Sequence, residues 1–171
     1  MKNLYIIRHA RAKLCREDQE DHDRELNKIG KVEASISGKW INNFDKKIDI
    51  IHSSSSLRTH QTTKIIIKEI EYNPQIIIEP KLYLSGEYNL LNYIKSLDDN
   101  MDNVAIIGHE PGLKRLAVLL TGSYTQGLES VLDRKFSTST VAIITFNISL
   151  WSALSEREGY LFEYFNPKDQ N

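Results

Sequence analysis

Apolar residues along the chain follow two rhythms. Short continuous runs, "NLYIIR" (3–8), "IDIIHS" (48–53), "NVAIIGH" (103–109) and "STVAIITFNI" (139–148), read as strands, the central ones buried on both faces. "PQIIIEP" (74–80), bracketed by two prolines, reads as a shorter strand, and "GYLFEYF" (159–165) as a last one at an edge. Between them, Leu26, Ile29, Val32, Ile36, Trp40, Ile41 and Phe44 recur at helical spacing. Residues 57–70, 87–98 and 113–121 predict three more helices. Strands alternating with helices predict an α/β fold: a three-layer sandwich around a mostly parallel sheet.

Composition narrows the setting. With 171 residues, 40% of them hydrophobic, the chain supports one core, so residues 1–171 are read as one domain, expected to be a monomer. Lys plus Arg number 22 against 23 Asp plus Glu, which leaves no global field for nucleic acid. The lone Cys15 has no internal disulfide partner and reads as an incidental thiol. No signal peptide and no membrane-length apolar run is apparent. These features predict a reduced, cytoplasmic setting without a membrane partner.

In an open α/β sheet, ligands bind beyond the carboxyl ends of the strands. Arg8 and His9 follow the first predicted strand, His52 and a serine run follow the second, and Gly108 and His109 follow "NVAII". The serines supply helix N-caps, and a helix N-terminus with Arg58 beside it suits an anion. Two arginines can fork onto phosphoryl oxygens, while one histidine attacks as a neutral nucleophile and a second donates a hydrogen bond. Taken singly, either histidine would more often be structural; the cluster favours phosphoryl transfer. Metal ligation is the rival use, but His9, His22, His52, His60 and His109 show no zinc-type spacing, and adjacent arginines would repel a cation. No metal or cofactor is expected.

These motifs resemble the histidine phosphatase superfamily, also called phosphoglycerate mutase-like, and within it the small SixA-type phosphohistidine phosphatases. "RHARA" is similar to the family's Arg-His-Gly box in its Arg-His-Ala-x-Ala form, and "DHDREL" to an Asp-x-x-Arg-x-Leu segment. "SSLRTHQT" resembles the Ser-Pro-x-x-Arg-Ala-x-Gln-Thr box at Ser54, Arg58, Gln61 and Thr62, with Ser55 for proline and Thr59 for alanine. "IIGHEPGL" resembles Gly-His-Asn-Pro-Gly-Leu, with Glu110 for asparagine. The resemblance implies that His9 becomes phosphorylated, that Arg8, Arg58 and His109 surround the phosphoryl oxygens, and that Arg24 reaches the same pocket.

A general acid is harder to assign. Glu87 and Glu110 are the candidates, each with the alternative of a carboxylate stabilised by a helix start. A phosphate ester needs a proton on its leaving oxygen, whereas the imidazole leaving phosphohistidine can already carry one. The chain also has little spare length for a cap, which predicts an open pocket suited to a phosphorylated side chain on another protein. The sequence therefore favours a metal-independent phosphatase removing phosphate from phosphohistidine on a partner protein, in signal transduction. The alternatives are a phosphomonoesterase for a small metabolite and a phosphate-binding module without turnover.

Overall fold

The computed structural model describes residues 1–170. Seven strands form one sheet in the order β3-β2-β4-β1-β6-β7-β5: β1 (Lys2–Arg8), β2 (Ile50–Ser54), β3 (Gln75–Glu79), β4 (Asn103–Gly108), β5 (Thr121–Tyr124), β6 (Val141–Phe146) and β7 (Gly159–Phe165). Strand β1 pairs in parallel with β4, β4 with β2, and β2 with β3; β6 runs antiparallel to β1 and to β7, and β5 is parallel to β7.

Helices α1 (Lys28–Asn42), α2 (Leu57–Glu69), α3 (Glu87–Lys95) and α4 (Gly112–Leu120) cover the sheet. Alternation along β1 explains the three layers. Tyr5 and Ile7 join Ile41 of α1 and Ile66 of α2 in one core, while Leu4 and Ile6 join Leu91 of α3 and Leu116 of α4 in the other. The mixed α/β sandwich expected from the sequence is present, with two differences. The "GYLFEYF" strand is not at an edge, because the short, weakly apolar "TGSY" forms β5 outside it.

The second difference concerns the face of α1. Ile29 and Val32, expected inside, are exposed, and the buried face is Gly30, Glu33, Ala34, Ser37, Gly38 and Ile41. Small residues bring this helix close to its neighbours. A Cβ on Gly38 would lie 2.9 Å from Glu69 Cβ in α2, and one on Gly30 would lie 2.1 Å from the Arg11 carbonyl oxygen. A pattern of large apolar residues cannot report such packing. Gly30→Ala is expected to cost about 1–3 kcal/mol through overpacking, seen as a lower urea midpoint. An unchanged midpoint would mean that the Arg11 loop yields freely.

Candidate active site

The first and fourth strands place two histidines side by side. Arg8 stands opposite Gly108 in the parallel ladder, so His9 and His109 each take the next position beyond the strand end. The His9 backbone is fixed on both sides, its N–H donating to Gly108 O at 3.1 Å and its carbonyl accepting from Ser139 N at 3.2 Å. The ring centroids of His9 and His109 are 5.2 Å apart.

Their hydrogen-bond partners assign the tautomers. His9 Nδ1 lies 2.8 Å from the carbonyl of Ala10, which can only accept, so Nδ1 carries the hydrogen and Nε2 presents its lone pair. Arg58 Nε approaches that lone pair at 3.4 Å. Arg58 Nη2, which can only donate, faces His109 Nδ1 at 3.4 Å, so His109 carries its hydrogen on Nε2 and donates it to Ser54 Oγ at 2.8 Å. Burial is the main cause that lowers both histidines, each to about 3. The Arg58 and Arg8 charges lower them further, while the Ala10 carbonyl opposes the shift at His9. Both rings are neutral at pH 7.

Helix α2 holds much of this together. Arg58 enters the site from its first turn, which Ser56 caps by accepting from Thr59 N. Thr62 Oγ1 accepts from Ala10 N at 2.9 Å, and Gln61 Oε1 accepts from Leu26 N at 2.7 Å. The box read from the sequence thus comprises one residue in the pocket, one behind His109, and two that tie down the loop after β1.

The resulting cavity, about 430 Å³ and open to solvent, is lined by Arg8, His9, Arg24, Arg58, His109 and Glu110, together with Arg11, Asp21, Leu84 and Thr138. Arg8 Nη1 donates to Phe136 O at 2.7 Å, but its buried Nε has no partner among the described residues. Arg24 Nη1 donates to Asp21 Oδ1 at 2.8 Å. The structure therefore brings together Arg8, His9, Arg24, Arg58 and His109.

The two candidate acids separate. Glu110 lines the cavity, and burial raises its carboxyl above the usual range although Arg8 opposes this. Its Oε1 accepts from Lys114 N at 3.1 Å. Glu87 lies outside the lining, at the first turn of α3, 3.9 Å from Arg115 Nη1. That is the helix-start position the sequence offered as its alternative.

Two contributors escaped the sequence reading as site residues. Asp21 had only a place in the "DHDREL" motif, inside a run that reads as solvated loop, and Tyr83 sits in a segment with no recognisable pattern. Asp21 accepts from Arg58, Arg24 and the Tyr83 hydroxyl, whose ring stands edge-on to His109 at 5.3 Å. These donors hold the Asp21 carboxyl well below the usual range, against the opposing effect of burial.

Residues 4–83 match the model of the histidine phosphatase superfamily, branch 1. Over those residues, fewer than half of the chain, the sequence is similar to the histidine phosphatase superfamily. The match covers the loop carrying His9, the Asp21 segment and the Arg58 helix. An uncharacterized protein of Mycobacterium leprae is 26% identical over 166 residues, which are 95% of this chain and 100% of that one. A solved structure from Nakamurella multipartitia, provisionally named phosphohistidine phosphatase SixA, superposes with a TM-score of 0.82 at 23% identity. It covers 97% of this chain and 96% of its own. The protein histidine phosphatase SixA complexed with tungstate gives a TM-score of 0.78 at 20% identity over 99% of both chains. At these identities, the two structures establish that this chain shares their fold.

Proposed function

We propose that this chain is a single-domain histidine phosphatase that removes phosphate from phosphohistidine on a partner protein through a phosphorylated His9, without a metal ion. The observation that carries the reading is the bare Nε2 of His9, facing Arg58 at the floor of an arginine-lined pocket. The His9 lone pair attacks phosphorus, the Nε2–P bond forms, and the bond to the leaving group breaks. The Ala10 carbonyl holds Nδ1–H and steadies the positive charge that develops on the ring. Arg8, Arg24 and Arg58 balance the phosphoryl charge, which is most of what phosphoryl transfer requires. When the anion enters, its charge favours protonation of His109 by solvent, and the resulting Nδ1–H donates a hydrogen bond to it while the ring keeps the proton. Water then attacks phosphorus, breaks the bond to His9 and releases phosphate.

The substrate assignment draws on two considerations. A protein named for histidine phosphatase activity shares the fold and is complexed with tungstate, a tetrahedral oxyanion of phosphate's shape. The open pocket also admits a side chain presented by another protein. We place the reaction in the cytoplasm, in signalling, consistent with the exposed thiol of Cys15.

The burial of Glu110 favours a second reading. A carboxyl that lines the pocket and is raised by burial is suited to protonate an ester oxygen, as a phosphomonoesterase acting on a small metabolite would need. The two readings part on Glu110→Gln. With phosphohistidine as substrate the variant should keep nearly the wild-type rate, and with an alkyl phosphate it should lose roughly a hundredfold. Glu87→Gln should change neither rate. Phosphate release is measured from a phosphohistidine protein, an aryl phosphate and an alkyl phosphate at one pH. If the wild type prefers the alkyl phosphate and Glu110→Gln abolishes that preference, the phosphohistidine assignment fails.

A further inference from the structure

The contacts of Arg58 divide its guanidinium into two halves. Toward the outside, Nη1 donates to the backbone carbonyl of Asp21 at 2.6 Å and Nη2 to its Oδ2 at 2.8 Å. Toward the inside, Nε and the second hydrogen of Nη2 point at the lone pairs of His9 and His109, both at 3.4 Å. The outer contacts have ordinary charge-assisted lengths, while the inner ones are long and readily exchanged for an oxyanion.

We propose that Asp21, braced by Tyr83 and Arg24, is a positioning residue that aims Arg58 at the transferring phosphoryl group and keeps the product from binding too tightly. The idea rests on the phosphatase reading but on neither choice of substrate. Asp21 accepts from three side chains at once: Arg24 Nη1 at 2.8 Å, Arg58 Nη2 at 2.8 Å and the Tyr83 hydroxyl at 2.7 Å. The brace therefore has one support near its own segment, Arg24, and one from beyond β3, Tyr83. With both fixed, the guanidinium cannot turn its inner donors away from the space between the histidines.

Charge gives the same carboxylate a second effect. Arg8, Arg11, Arg24 and Arg58 line the cavity, and Asp21 and Glu110 are its acidic residues. Without Asp21, the pocket would attract any phosphoryl oxyanion more strongly, including released phosphate. Aim matters to the transition state, whereas net charge favours substrate and product alike. Removal of the carboxylate should therefore slow the chemistry without weakening anion binding.

Asp21→Asn tests this, with Tyr83→Phe as the milder variant that leaves all charges in place. For Asp21→Asn, kcat should fall on the order of tenfold to a hundredfold, at or below the loss seen when a charge-stabilising donor itself is removed. The dissociation constant for inorganic phosphate should stay equal or become smaller, and product inhibition should strengthen. Tyr83→Phe should lower kcat by a smaller factor with phosphate affinity unchanged. A merely structural role would instead weaken turnover and phosphate binding together and lower the unfolding midpoint; that outcome overturns the proposal, as does an unchanged kcat in Asp21→Asn. Each variant is compared with the wild type on whichever substrate the wild type hydrolyses fastest. The wild type's ranking of substrates tests the proposed function, and the ratio of variant to wild type tests the brace.

Discussion

Replacement of His9 by alanine is expected to lower turnover by at least about four orders of magnitude, the scale on which loss of a covalent nucleophile is felt, while inorganic phosphate still binds. The nucleophile has no substitute in the pocket. His109 faces the same cavity, but its Nε2–H is held by Ser54 and its Nδ1 is met by Arg58. Arg8, Arg24 and Arg58 remain in the variant to hold an oxyanion, so affinity should survive the loss of chemistry. Rapid acid-stable and acid-labile phosphate assays on wild type and variant supply the check. Wild type should accumulate an acid-labile phosphoenzyme during turnover, and His9→Ala should accumulate none. A variant that still hydrolyses an aryl phosphate at a rate close to wild type would remove the nucleophile assignment.

Arg58→Ala comes second in expected effect. A preorganised donor aimed at developing charge contributes about a hundredfold to a thousandfold in rate, and Arg58 has two such donors facing the site. Unlike His9→Ala, this variant should also bind phosphate more weakly, because it loses a cation and leaves the Asp21 carboxylate facing the cavity with one partner fewer. Arg58→Lys should recover little, since an ammonium cannot supply two inner and two outer bonds at once. Steady-state kinetics with phosphate titrations distinguish the cases. An Arg58→Ala enzyme with unchanged rate would show that the clamp lies elsewhere.

Much of this architecture is legible in the sequence because strand interiors and strand ends carry strong signals. Uninterrupted apolar runs mark β1, β2, β4 and β6, and the residues that immediately follow β1 and β4 are His9 and His109. Helix α1 shows where that kind of reading stops. Its buried face is built from Gly30, Ala34, Ser37 and Gly38, whose contribution is closeness of approach rather than apolar bulk. Strand β5 was hidden for a related reason: it is four residues long and has little apolar character of its own.

The site was legible in the same uneven way. Residues anchored to strand ends or to the first turn of α2 could be placed from the order of elements. Asp21 and Tyr83 could not, because their functional neighbours lie far along the chain: Asp21 meets Arg58 across 37 positions and Tyr83 across 62. Charge alone does not distinguish, within "REDQEDHDRE", the carboxylate that turns inward from those that stay in water; only the place of Asp21 in the Asp-x-x-Arg-x-Leu motif sets it apart. Glu87 and Glu110 were equivalent by position at a helix start, and only the shape of the cavity separates them.

The register of the central ladder carries a further implication for how the candidate site assembles. His9 and His109 lie a hundred residues apart in sequence and become neighbours only through the parallel pairing of β1 with β4. Closing so long a segment is entropically costly and slow compared with forming a local helix. No early, locally formed part of the chain can therefore hold both rings, and chemical competence arrives together with the central sheet. A phosphoryl ligand that recognised only that assembled arrangement would stabilise the native fold, with a gain that grows as the logarithm of its concentration above the dissociation constant, so ligand supply and folding stability would be linked.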